Sequence, residues 1–136
     1  MDNNRGIQMT RNELKEQIKH RWDSTTKLRH IECNEGWDSI ISKLDFDLRK
    51  LVPEYTLFQV KEKFGGLRYY TGVFPLNKFE EARQIIDNAM LESLKTCECC
   101  GDTGVLCRRR GWLKTLCKTC FSEWVMHETG EYGIKL

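Results

Sequence analysis

Cys97, Cys100, Cys117 and Cys120 form two pairs, each with two residues inside it, and sixteen residues separate the pairs. Nothing else in the chain restricts its fold so tightly. A Cys-x2-Cys turn aims two thiolates at one point, and two such turns at this separation match the spacing of a zinc site. The intervening segment is long enough for a β-hairpin to return the chain. Four thiolates close a tetrahedral shell with no open position, which is the arrangement of a structural rather than a catalytic zinc. Gly101 directly follows the first pair, where a left-handed backbone is cheap. The expectation is a four-cysteine ribbon with one structural Zn²⁺ on Cys97, Cys100, Cys117 and Cys120.

Two further cysteines fall inside the same segment. Cys99 offers an alternative to Cys100 but shortens the first turn to Cys-x-Cys, a poorer bite, and Cys107 lies within the expected hairpin. Disulfide bonding is the competing account of a cysteine-rich stretch. We expect no secretory leader, the cysteine count of seven is odd, and outside residues 97–120 only Cys33 remains. Cys33, Cys99 and Cys107 are therefore expected to be plain thiols.

A chain of 136 residues suffices for one domain with a modest core. No run of 18 apolar residues occurs, so a membrane span is not expected and a cytoplasmic protein is. The net charge of +2 says little about partners. Within residues 97–120, Arg108, Arg109, Arg110, Lys114 and Lys118 stand against Glu98 and Asp102, a surplus of three. Four bound thiolates and one divalent ion together carry a charge of about −2, leaving the ribbon mildly basic.

Taken in order, residues 1–9 are polar and predict a loose start. Thr10-Arg-Asn-Glu13 reads as a capping box opening a helix whose stripe is Leu14, Ile18 and Trp22, with Asp23-Ser-Thr-Thr ending it. Residues 27–35 read as a link. Trp37, Ile40, Ile41, Leu44, Leu48 and Leu51 recur with helical period up to Pro53, with Trp37 as a core anchor.

Gly65-Gly66 between two β-prone runs predicts a two-residue hairpin turn. That turn sets residue 64 opposite 67, 62 opposite 69 and 60 opposite 71. Phe58, Val60, Phe64, Leu67 and Tyr69 then face the helices, with Glu62 as the misfit. Gln59, Lys61, Lys63, Arg68 and Tyr70 face outward, with Lys63 directly opposite Arg68 and Tyr70 opposite Lys61. Like charges so placed destabilise a sheet unless an anion lies between them. Lys61, Lys63, Arg68 and Tyr70 are therefore candidates for an anion site.

Asn77-Lys-Phe-Glu80 predicts the cap of a third helix with Phe79, Ala82, Ile85, Ile86, Ala89 and Met90 inward. That helix runs almost into Cys97, which fixes the ribbon to its end. Arg108-Arg109-Arg110 is expected near the ribbon's tip, exposed, with Trp112 beside it. Phe121, Trp124 and Val125 predict a short helix packing the ribbon back on the body, ended by Gly130, with an edge strand from Tyr132. The fold class is α+β: about three helices on a β-hairpin or small antiparallel sheet, with an integrated C-terminal ribbon. Residues 1–96 form the body and 97–136 the ribbon and its helix, packed as one domain.

The stretches Gly36-Trp37-x2-Ile40-Ile41-x2-Leu44, Gln59-Val-Lys-Glu-Lys-Phe-Gly-Gly-Leu-Arg-Tyr-Tyr70 and Gly111-Trp112-Leu-Lys-Thr-Leu-Cys117 resemble a family of small zinc-ribbon proteins of bacteriophages and prophages. The resemblance covers roughly residues 33–122 and excludes the N-terminal arm and the last fourteen residues. In similar sequences the last ligand is often His; here it is Cys120, which keeps the site competent. The family carries no assigned activity, so the resemblance implies a setting, a host-cell cytoplasm, and accessory roles such as inhibition of host defence.

Catalysis is not expected. His20, His30 and His127 lie far apart, none of them in a ligand or nucleophile motif, and no phosphate-binding loop or dinucleotide glycine motif occurs. Glu80 and Glu81 fall in a first helical turn, where the dipole alone accounts for them. Binding without chemistry remains. One form takes an anionic partner, nucleic acid or nucleotide phosphates, on Lys61, Lys63, Arg68 and Arg108–Arg110, with Tyr70 and Trp112 stacking. The other is a protein-binding inhibitor or adaptor that blocks a host protein complex through exposed aromatics.

Overall fold

A computed structural model describes residues 9–135. The expected loose start over residues 1–9 lies, apart from Met9, outside the described residues. Among the described residues the architecture is α+β, with four α-helices, the fourth being the short helix expected after Cys120, and two small sheets. Helix α1 (Arg11–Ile18) opens with the expected capping box: the Glu13 amide donates to Thr10 Oγ1 at 3.1 Å and the Thr10 amide to Glu13 Oε1 at 2.8 Å. It stops at Ile18, so Trp22 does not sit on it. Trp22 instead lies parallel to Leu57 in a single bridge.

The link at 27–35 contains a two-residue strand, β1 (Ile31–Glu32), parallel to the next strand. Too short to show alternation, it gave no sequence signal. Helix α2 (Asp38–Leu51) buries Ile41, Leu44 and Leu48 and ends where Pro53 forbids continuation. Trp37, at its start, is fully buried, and its ring N–H donates to the Thr96 carbonyl at 2.8 Å. It is an anchor for the core, as expected.

Strands β2 (Leu57–Lys63) and β3 (Gly66–Thr71) form the expected hairpin in a different register. Lys63 pairs with Gly66, Glu62 with Leu67, Lys61 with Arg68, Val60 with Tyr69 and Gln59 with Tyr70. The turn is Phe64-Gly65, not Gly65-Gly66. Both turn residues have positive φ, 55° and 85°, as a two-residue hairpin turn matching the strand twist requires. The two glycines thus serve different ends. Gly65 supplies the left-handed backbone. Gly66 lies in the strand, where a Cβ would sit 3.1 Å from the Arg68 guanidinium and in ordinary contact with Leu94 and Met90 at 3.4 and 3.6 Å.

Each residue's partner therefore moves by two positions, which preserves which face it occupies. Val60, Leu67 and Tyr69 are buried as expected, but Phe64 in the turn is exposed. A β-bulge between Leu57 and Gln59 turns Leu57 inward and leaves Phe58 outside. Glu62 accepts the Gly65 amide at 2.7 Å and so caps the turn.

Helix α3 (Phe79–Ser93) is preceded by a 3₁₀ turn, and its cap residue is Lys78, without a side-chain capping bond. The expected cap at Asn77 is absent, and Phe79 is exposed rather than inward because it sits at the helix's first position. Ala82 is buried, with Ile85, Ile86 and Ala89 packed on the core. Ser93 Oγ accepts the Leu67 amide at 2.9 Å and so covers the edge of β3.

The core also holds a polar cluster that the sequence did not announce. Asp45 of α2, fully buried, accepts from Arg21 Nε at 3.1 Å, Tyr55 OH at 2.6 Å, Gln17 Nε2 at 2.9 Å and Arg49 Nε at 2.9 Å. Tyr55 OH also bonds Tyr69 OH at 2.6 Å, which joins α1, α2 and β3 through one carboxylate. Among the described residues no helix is long and apolar enough to cross a membrane.

Candidate metal centre and hairpin face

Strands β4 (Val105–Arg109) and β5 (Trp112–Leu116) form the hairpin between the two cysteine pairs, with Arg110-Gly111 as its turn. Helix α4 (Lys118–Val125) begins between Cys117 and Cys120 and ends at Met126, with φ 44°, rather than at Gly130. The edge strand β6 (Glu131–Tyr132) completes the order β5-β4-β6 but stops at Tyr132 instead of running on from it. Phe121 and Trp124 of α4 pack on Cys97, Cys107 and Leu116, so α4 covers the ribbon and not the body.

The Sγ atoms of Cys97, Cys100, Cys117 and Cys120 lie within 4.8 Å of one another, Cys100 and Cys117 at 3.7 Å. A tetrahedron of thiolates at the usual zinc distance has an edge of about 3.8 Å. The four side chains therefore suit a single metal ion. Cys99, as expected, takes no part and is exposed; Cys33 and Cys107 are buried thiols.

Local backbone makes this cluster. Gly101 has φ 86°, its amide donates to the Cys97 carbonyl at 2.9 Å, and the Cys97 amide donates to Asp102 O at 2.7 Å. The turn so closed swings Cys100 onto Cys97. Cys117 is the N-cap of α4, and its sulfur accepts the Cys120 amide at 3.4 Å. Burial raises the Cys97 thiol, but amides of Cys100, Cys117 and Cys99 outweigh it and bring it down to about 7. Burial, then hydrogen bonds from Cys97 and Cys117, pushes Cys100 up to about 12. One thiolate forms readily and the next resists, a conflict that a bound cation resolves.

Glu98, between Cys97 and Cys100 of the cluster, is 2 % exposed. Its carboxylate accepts the Asn34 amide at 3.0 Å and Lys114 Nζ at 3.2 Å, and its carbonyl accepts the Gly36 amide at 2.7 Å. A Cβ on Gly36 would collide with the carbonyls of Cys97 and Glu98, so only glycine lets the ribbon come this close. At a second point Thr115 Oγ1 donates to the Gly65 carbonyl at 2.8 Å, holding β5 against the turn of the body hairpin.

The partner-binding candidates divide into two groups. Arg108, Arg109, Arg110 and Trp112 share the ribbon tip, with Trp112 70 % exposed. The arginines there have partners within the chain. Arg108 pairs with Glu131 at 2.8 Å and Arg110 with Glu128 at 3.0 Å. Arg109 lies 4.6 Å over the Trp124 ring and donates to the Trp124 carbonyl at 2.6 Å. Arg109 is drawn inward, so the run is not uniformly free as its composition suggested.

Lys61, Lys63, Arg68 and Tyr70 share the outer face of β2–β3, although Lys63 does not stand opposite Arg68, nor Tyr70 opposite Lys61. Arg68 stands opposite Lys61 instead. Among the described residues none of the three cations forms an ion pair. Arg68 has only a long bond of 3.4 Å to the Leu67 carbonyl, and Lys63 lies 5.5 Å over the Phe64 ring. Glu32 on β1 is the register neighbour of Lys61 but stays beyond ion-pair distance. Sequence reasoning missed Phe58 on this side, since only the bulge turns it outward. The chain matches no family model, no curated protein and no solved structure.

Proposed function

We propose that the protein is a non-enzymatic binding protein of the phage accessory type its sequence resembles, built around one structural zinc, which captures an anionic partner on the outer face of its hairpin. The ligand chemistry is phosphate, in nucleic acid or nucleotides, and the setting the resemblance implies is interference with a host defence system. The observation that carries this reading is the contrast between the two arginine-bearing hairpins. At the ribbon tip every arginine has a partner in the chain, whereas among the described residues Lys61, Lys63 and Arg68 share one face and form no ion pair. A phosphate between them replaces mutual repulsion with charge-assisted bonds, Arg68 gripping two oxygens and the lysines acting as point charges.

Zinc is the ion of choice because four thiolates at this separation suit its tetrahedral preference. Among the described residues the hydrophobic cluster of the ribbon fully buries Cys97, Cys107 and Leu116, too small an apolar core to fold unaided, so the ion supplies its folding energy. Metal analysis of reduced, purified protein is expected to give one zinc per chain, and a metal-free, folded protein ends that part of the reading. For the partner, the melting temperature is measured with added inorganic triphosphate, which stabilises only the state that binds it. A rise that vanishes in Lys61→Ala/Arg68→Ala with zinc retained is the expected result. No rise at low salt removes the anion site.

A second reading, a protein-binding inhibitor or adaptor, is favoured by the loop before α3. Val73 is 99 % and Leu76 94 % exposed there. Affinity insensitive to salt favours it over the first.

A further inference from the structure

We infer that the outer face of the hairpin is a stacking platform for single-stranded nucleic acid, with Phe58 and Tyr70 holding bases while Lys61, Lys63 and Arg68 hold phosphates. This rests on the anion-binding reading above and names the ligand class for the same face.

The argument begins at the bulge. The extra residue between Leu57 and Gln59 lets Leu57 take the core position and sends Phe58 out, 40 % exposed. The ladder continues past it, since the Gly72 amide donates to the Thr56 carbonyl at 3.0 Å. A Cβ on Gly72 would meet Thr56 Oγ1 first and would lie 3.5 Å from Phe58 Cε2, so the edge of the Phe58 ring sits beside Gly72. Gly72 is two residues beyond Tyr70, and residues two apart on an extended chain share a face. Phe58 therefore lies next to Tyr70, itself 41 % exposed, on the side that carries Lys61 and Arg68.

Along this face the order is aromatic, then cationic, with Gln59 opposite Tyr70 and the carboxylate of Glu32 on β1 flanking Lys61 beyond ion-pair distance. Phe58 and Tyr70 occupy the end near Gly72; Arg68 follows one pleat away, about 6.6 Å along the strand, with Lys61 opposite it and Lys63 beyond. Flat apolar rings beside unpaired cations fit a ligand with flat apolar faces and regularly spaced negative charge. Unpaired nucleotides have both. A duplex keeps its base faces within its own stack and offers only phosphates and groove edges to a surface like this. An acidic protein has the charge but no bases to lay on the rings. Any base has a π-face, so the platform is expected to be tolerant of sequence.

The test uses the full chain with its metal and fluorescein-labelled short oligonucleotides: mixed-sequence single-stranded DNA, the same sequence as RNA, and the DNA duplex. Anisotropy titrations at several salt concentrations are expected to show single strands bound at least about tenfold more tightly than duplex. Three neutralised phosphates give a slope of log affinity against log salt near −2 for a single strand. Phe58→Leu and Tyr70→Leu keep apolar bulk but lose the aromatic face. Each is expected to weaken single-strand binding about tenfold with the salt slope, zinc content and circular dichroism unchanged, whereas Lys61→Ala/Arg68→Ala flattens the slope. Equal affinity for duplex and single strand, or Phe58→Leu and Tyr70→Leu binding as the wild type does, overturns the platform while leaving the anion site standing. Failure of every oligonucleotide, together with no stabilisation by triphosphate, overturns both.

Discussion

Replacing Asp45 by Asn tests the energetics of the core. All four neighbours of this carboxylate are donors: Arg21 and Tyr55 on one oxygen, Gln17 and Arg49 on the other. An amide keeps the shape but turns one acceptor into a donor, so one pair of neighbours meets an N–H whichever way the group is flipped. The negative charge between Arg21 and Arg49 is lost as well. Breaking a buried pair costs about 3–5 kcal/mol. Arg49, with 35 % of its side chain exposed, can turn to water, and its share is discounted. Arg21, at 15 %, has less freedom, while Tyr55 retains Tyr69. The expected loss is about 3 kcal/mol, or about 10 °C in melting temperature for a domain of this size. Urea denaturation followed by circular dichroism measures it, with zinc content as a control that the ribbon is intact. A loss below about 1 kcal/mol with an unchanged denaturant slope refutes the assignment of this cluster as the tie between α1, α2 and β3.

Four further outcomes are expected. Cys117→Ser should abolish zinc retention and open the ribbon, whereas Cys107→Ser, outside the cluster, should keep one zinc per chain; metal analysis distinguishes the two. Gly36→Ala should cost about 1–3 kcal/mol by driving a methyl into the Cys97 and Glu98 carbonyls, loosening the ribbon from the body without removing zinc, read as altered amide exchange at residues 34–37. Arg109→Ala should lower ribbon stability by about 1–2 kcal/mol through loss of the Trp124 stack and carbonyl bond, visible in Trp fluorescence on heating. Stability should also fall in alkali. Burial raises Cys33 to about 12 and raises Tyr55 and Tyr69 too, so the folded state keeps protons that the unfolded chain releases. Their contribution is complete below pH about 9 and lost above it, each group steepening the fall by about 1.4 kcal/mol per pH unit. A flat urea midpoint from pH 8 to 11 would contradict this.

The four-cysteine cluster was legible because its spacing is local: two short turns and a hairpin determine where four sulfurs go. Helix α2 was legible for a similar reason, since six apolar positions at helical period and Pro53 leave little choice. The hairpin's existence could be read, but its register could not. Gly65-Gly66 offered two glycines for one turn, and nothing local says which of them takes the left-handed position that the structure gives to Gly65. Phe58 failed for a related reason: alternation assumes a regular strand, and a bulge breaks it without any glycine to mark it. Asp45 was invisible because its partners, Gln17, Arg21, Arg49 and Tyr55, meet only in three dimensions. The Arg108–Arg110 run misled by composition, since the acids that engage it, Glu128 and Glu131, stand about twenty residues downstream.

The bond from Thr115 to the Gly65 carbonyl makes the ribbon and the hairpin turn parts of one thermodynamic cycle. Whatever rigidity the turn owes to β5 exists only while the ribbon is folded, and on the proposed reading the ribbon folds only with its metal. The ordering entropy of Lys63 and its neighbours is thus partly discharged before any ligand arrives. By linkage the converse holds: a ligand that prefers the ordered hairpin tightens the hold on the metal by the same factor. Chelator competition with and without a bound ligand reads that factor directly, so metal affinity becomes a remote gauge of occupancy on the hairpin face.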